Sequence, residues 1–119
     1  YPGYTRVIWQ NHVREMTDLQ RGHQDELMNI VWHVEQTLRQ CMRPDKVNLA
    51  QFGNMVPHLH WHVIPRWQSD SHFPDAVWAP PPSRTIAQDT AWGGQRAQLQ
   101  ARLPEYHEAL AVALEQAAS

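Results

Sequence analysis

The chain has 119 residues, a net charge of −2 with histidine neutral, a single cysteine and eight histidines. That length suits one small domain that gains from a partner subunit, and the weak net charge excludes the basic field that dominates nonspecific binding to nucleic acid. One cysteine excludes an intrachain disulfide and fits a reducing compartment; with no apolar run long enough to span a bilayer and no signal-peptide pattern, a cytoplasmic protein away from membranes is expected.

Tyr1-Pro2-Gly3 reads as a turn that feeds a strand over Thr5 to Gln10, rich in β-formers and closed by Asn11-His12. Met16 to Leu19 reads as a short turn, with Thr17 or Asp18 placed to cap the next helix. From Gly22 to Met42, Leu27, Val31, Val34, Leu38 and Cys41 recur at threes and fours, the period of an amphipathic helix that Pro44 stops. On its polar face Trp32 stands beside His33, and a tryptophan there points to a subunit contact, so a homodimer is expected. Val47 to Phe52 predicts a second strand, with Val47, Leu49 and Gln51 on one face and Asn48, Ala50 and Phe52 on the other.

After the turn dipeptide Gly53-Asn54, a third strand is predicted from Pro57 to Pro65. The stretch from Arg66 to Ala79 has no regular period yet holds Trp67, Phe73 and Trp78, so it should lie over core or pocket. Pro80-Pro81-Pro82 marks the end of the compact unit, and Arg96 to Ala118 reads as a helix with Pro104 in a first turn and Leu103, Tyr106, Leu110, Leu114 and Ala117 in one stripe. The whole is an α+β domain: an antiparallel meander sheet with one long helix over residues 1–79, then a proline-rich linker and C-terminal helix over 80–119.

The third strand carries the chemistry. His58, His60 and His62 fall on alternate residues, so on an extended backbone their imidazoles share one side while Leu59, Trp61 and Val63 share the other. Histidine changes charge near neutral pH, and three in register supply a nucleophile, a proton donor and an orienting partner. A solvent-washed strand that is merely rich in histidine is the structural alternative, disfavoured by strict register opposite an apolar face. A zinc site is a further alternative, but the outer pair lies about 13 Å apart along a strand whereas zinc holds nitrogen at about 2.0 to 2.1 Å. Such a site would draw further ligands from His12, His72 or Asp70, and no metal or other cofactor is assigned. Covalent catalysis on phosphorus fits better: a neutral imidazole attacks, a neighbour fixes its tautomer, and amide or guanidinium groups hold the phosphoryl oxygens.

The run from Gly53 through Pro57-His58-Leu59-His60-Trp61-His62-Val63-Ile64 to Arg66 closely resembles the signature of the histidine triad superfamily, His-x-His-x-His followed by two apolar residues. Pro2-Gly3-Tyr4, Val7-Ile8, His12 and Asp18-Leu19 extend the resemblance upstream, and Asp70 through Phe73-Pro74 to Trp78 is similar to a bacterial histidine-triad-like branch without an assigned substrate. The resemblance implies a nucleotide hydrolase or nucleotidyl transferase, such as a phosphoramidase or a dinucleoside polyphosphate hydrolase. It implies His60 as nucleophile, His62 as the group that contacts the scissile phosphate and protonates the leaving group, and His58 as orienting His60 through its backbone carbonyl. It places Asn54 and Asn48 on the phosphate side, with Arg66 following the strand as a further phosphate-binding candidate. A small nucleotide is the expected partner. Two departures stand out: Met55 occupies a position where several relatives carry a hydroxyl donor, and the family's first strands, with the ribose contact, would lie before Tyr1. A catalytically weak nucleotide-binding or protein-interaction module that retains the triad is the rival reading.

Overall fold

In the computed structural model, which describes residues 1–118, three antiparallel strands stand in the order β1 (Thr5–Ile8), β3 (His60–Arg66), β2 (Lys46–Ala50). The histidine strand is therefore central. Arg6 faces His62 and Ile8 faces His60 on one flank, while Ala50 faces His62 and Asn48 faces Ile64 on the other. Side-chain alternation then puts Arg6, Ile8, Asn48, Ala50, His60, His62 and Arg66 on one face, and Val7, Val47, Leu49, Trp61 and Val63 on the opposite one.

Helix α1 (Arg21–Met42) covers the second face. Its buried stripe is Leu27, Val31, Val34, Leu38 and Met42, so the last step falls on Met42, and Cys41 packs only partly buried at its edge. Each fully buried aliphatic side chain here contributes about 1.5 to 3 kcal/mol, which is why this helix and this sheet face define one another. Arg43 takes the left-handed conformation at φ 49°, and Pro44 follows, so the helix ends where the sequence places its stop.

The strands are shorter than expected. Thr5 to Gln10 ends at Ile8, Val47 to Phe52 runs instead from Lys46 to Ala50, and the strand expected from Pro57 begins at His60. The chain before His60 leaves the regular ladder because Leu59 is tied on both sides by irregular bonds: its amide donates to the Val13 carbonyl at 2.8 Å and its carbonyl accepts from the Trp9 amide at 3.1 Å. Leu59 itself is fully buried against Leu19 and Leu27. His58 is thus held beside the strand rather than within it.

Where one C-terminal helix from Arg96 was expected, there are two, α2 (Ile86–Ala101) and α3 (Leu103–Ala118), separated at Arg102. Thr85 starts α2 ten residues earlier through a reciprocal cap: its hydroxyl accepts from the Gln88 amide at 3.1 Å, and the Gln88 side chain accepts from the Thr85 amide at 2.9 Å. Pro104 does lie in a first turn, that of α3. Trp92, Leu99 and Tyr106 from these helices join the cluster containing Val31, Leu38 and Met42, and the Tyr106 hydroxyl lies 2.7 Å from Thr5 Oγ1 at the start of β1. Among the described residues, no helix is long and apolar enough to cross a membrane.

Candidate active site

The three histidines differ in how they are held. His60 sits on β3 with its Nδ1 2.6 Å from the backbone carbonyl of His58. A carbonyl only accepts, so Nδ1 donates and the lone pair of the neutral ring lies on Nε2. His58 is fixed the other way round. Its Nε2 donates to the Trp9 carbonyl in a short hydrogen bond, which leaves Nδ1 as acceptor toward His12 Nδ1 at 3.3 Å. His12, expected to be a turn residue, is therefore the outer member of a histidine pair that braces the segment carrying the His58 carbonyl.

His62 lies edge-on to His60, with ring centroids 4.8 Å apart, and its Nδ1 is 2.7 Å from the Tyr4 hydroxyl. Burial lowers the His62 pKa from the ordinary histidine value, and the neighbouring His60 and Arg6 push it the same way. Burial raises that of Tyr4, against a smaller opposing pull from Arg6, so its hydroxyl stays protonated at neutral pH. All three triad rings are half-buried, reachable from solvent yet held on the sheet. Beside them a surface depression of about 340 Å³ is lined by Arg6, Ile8, Val56, His58 and His60. On the far side of His62, Phe52 (ring centroids 6.1 Å) stands against Trp78 (4.8 Å from Phe52, nearly perpendicular), and both aromatics are about half exposed.

This geometry and the sequence agree with what comparison finds. A model described as HIT domain matches residues 1–69. The chain belongs to the HIT family.

Among curated HIT relatives, the AP-4-A phosphorylase of Mycobacterium tuberculosis is 31% identical over 78 residues, covering 60% of this chain and 40% of the relative. An asymmetrical bis(5'-nucleosyl)-tetraphosphatase of Schizosaccharomyces pombe is 30% identical over 83 residues, covering 66% of this chain and 46% of the relative. The chain thus spans less than half the length of the curated relatives it matches. Of solved structures, a histidine triad protein from Marinobacter aquaeolei superposes with a TM-score of 0.57 at 30% identity, and one from Bradyrhizobium japonicum with 0.61 at 26%; each covers 85% of this chain and 77% of the other.

Within this HIT site, the residues expected at the phosphate are placed unequally. Asn54 lies on the exposed loop after Gly53, whose φ of 84° and close approach to the Val56 carbonyl suit a residue without a side chain. Met55 is almost fully exposed beside it. Asn48 shares the histidine face but its Oδ1 accepts from Arg66 at 3.0 Å. Arg66 has its guanidinium engaged within the fold. Its side chain is 3% exposed and its donors are spent internally, on Asp70 at 3.0 and 3.2 Å, on Asn48, and on the Asp75 carbonyl at 2.6 Å. Its neighbourhood explains why: Asp70, four residues on, also accepts from the Trp67, His72 and Phe73 amides and from the Tyr1 hydroxyl, so the pair ties the loop after β3 into a knot.

His72 joins that knot, its Nδ1 2.8 Å from Ser71 Oγ, rather than the triad. Among the described residues, no group of three or more His, Cys, Asp or Glu side chains is arranged to hold a metal ion. Two participants escaped the sequence reading. Tyr4 and Arg6 alternate with Ile8 along the chain, and that alternation becomes informative only once β1 is known to pair with β3 in a register that sets Arg6 opposite His62.

Proposed function

We propose that this HIT chain carries the catalytic face of a nucleotide hydrolase or nucleotidyl transferase that works at an α-phosphorus through a nucleotidyl-histidine intermediate. The observation that carries this reading is the 2.6 Å bond from His60 Nδ1 to the His58 carbonyl, which aims a lone pair at the open side of a half-buried strand. In the first step His60 Nε2 forms a bond to the α-phosphorus. The bond from phosphorus to the leaving oxygen or nitrogen breaks, and the departing group keeps that electron pair and takes a proton from His62. His62 acts as the imidazolium, in which Nδ1 donates to the Tyr4 hydroxyl oxygen 2.7 Å away and Nε2 carries the proton that the leaving group takes, so the ring is left neutral.

In the second step water attacks phosphorus, the phosphorus–nitrogen bond breaks, its pair returns to His60, and the proton released by water goes to His62. Asn48 and Asn54 are the amide groups available to the phosphoryl oxygens, with Arg66 positioning Asn48. Phe52 and Trp78 give a nucleobase an aromatic surface beside His62. A nucleoside phosphoramidate and a dinucleoside polyphosphate both meet these requirements, the latter being the class named in the curated relatives. The assembly proposed is a homodimer, with the half-exposed Trp32 of α1 in the contact.

The test is turnover of an adenosine phosphoramidate and of diadenosine tetraphosphate by the parent and by His60→Ala. The expected result is hydrolysis by the parent and a loss of about a thousandfold or more in the variant. Equal residual rates in both proteins would instead make the chain a binding module that retains the triad.

A further inference from the structure

Beside the triad, the histidine face carries an exposed charge that the two-step reaction leaves unused. Arg6 is exposed on β1, directly across the ladder from His62, and it lines the same depression as His58 and His60. Among the described residues no carboxylate pairs with it; its side chain instead interacts with the Tyr4 hydroxyl, which leaves the positive charge uncompensated. An uncompensated guanidinium next to the reacting centre has a cost: it opposes protonation of His62, the group that must deliver a proton. An anion seated between the two removes that conflict.

We propose that Arg6 binds the phosphates of the leaving group and selects a substrate whose leaving group is a polyphosphate chain over one whose leaving group is a neutral amine. This rests on the α-phosphorus reading of the site. The α-phosphoryl group is engaged by His60 and His62; Arg6, on the flanking strand beside the depression, meets what lies beyond it. Its planar fork matches two phosphate oxygens at once, and the amine released from a phosphoramidate offers nothing for it to hold. A charge-assisted contact of this kind supports discrimination of about tenfold or more. Because Arg6 is exposed, that discrimination weakens as ionic strength rises.

Two measurements on the full chain test it, comparing the parent with Arg6→Gln and Arg6→Lys. The first is the ratio of kcat/KM for diadenosine tetraphosphate to that for an adenosine phosphoramidate. The second is the affinity for inorganic tripolyphosphate, read from the ring resonances of His60 and His62. In Arg6→Gln the ratio is expected to fall about tenfold or more and tripolyphosphate binding to weaken by a similar factor, with Arg6→Lys between the two. A ratio and a tripolyphosphate affinity that both stay at the parent's values overturn the assignment while leaving the triad reading intact. A parent that turns over neither nucleotide overturns the triad reading and with it the selection proposed here, and tripolyphosphate binding lost in Arg6→Gln would then mark Arg6 as a polyphosphate-binding residue only.

Discussion

Asp70 shows how much one buried carboxylate organises. Burial alone pushes its pKa up, but hydrogen bonds from Arg66, from the Trp67 and His72 amides and from Tyr1 outweigh that and hold it at about 2, down from 3.8. A carboxyl whose folded pKa lies below its unfolded value contributes stability above the unfolded value, and that contribution fades as pH falls from about 3.8 toward 2. The shift corresponds to roughly 2 kcal/mol at neutral pH. Asp70→Asn removes the charge and strands the buried Arg66, so it is expected to cost about 3 kcal/mol or more in urea unfolding at pH 7. The gap between variant and parent should narrow at pH 3. A loss below about 1 kcal/mol at pH 7 would mean that the pair is not holding the loop after β3.

The elements owe their positions to a few tight fits, and Gly3 is the clearest. It lies just before β1 with φ at 87°, and a Cβ placed on it would come within 2.8 Å of Leu38 Cδ1 and 3.4 Å of Met42 Cγ. Gly3→Ala therefore meets backbone strain and a clash with α1 together, and is expected to destabilise by about 2 kcal/mol in thermal or urea unfolding. No change would mean that β1 can slide away from the helix, and with it Arg6 and Tyr4. Helix α1 was legible in the sequence because Leu27, Val31, Val34 and Leu38 repeat along one face and nothing competes with that period. The C-terminal break was not, although Thr85-x-x-Gln88 is a capping signature: exposed Ile86 and the glycines Gly93 and Gly94 mask a helix whose buried contacts come mainly from Trp92 and Leu99. The internal bonding of Arg66 was hidden for a related reason. Sequence spacing puts it at the end of the triad strand, but only the folded loop brings Asp70 back onto it.

At the scale of the molecule, α1 and the two C-terminal helices enclose one side of the sheet, and His60 and His62 on the other side stay partly exposed. The shared side of His60 and His62 was readable from alternation alone, whereas His58 lies off the strand and its placement was not; the setting came from residues more than forty positions away, Tyr4, Arg6 and His12. A homodimer through α1 predicts that Trp32→Glu sediments as a monomer while the parent sediments at twice that mass; identical behaviour would remove Trp32 from any interface. The central claim is the lone pair on His60 taking phosphorus from a nucleotide, and the direct measurement is mass spectrometry of the protein quenched during turnover of diadenosine tetraphosphate. A nucleotidyl adduct mapped to His60, and absent from His60→Gln, is the predicted result; turnover with no adduct on His60, and undiminished in that variant, would contradict it.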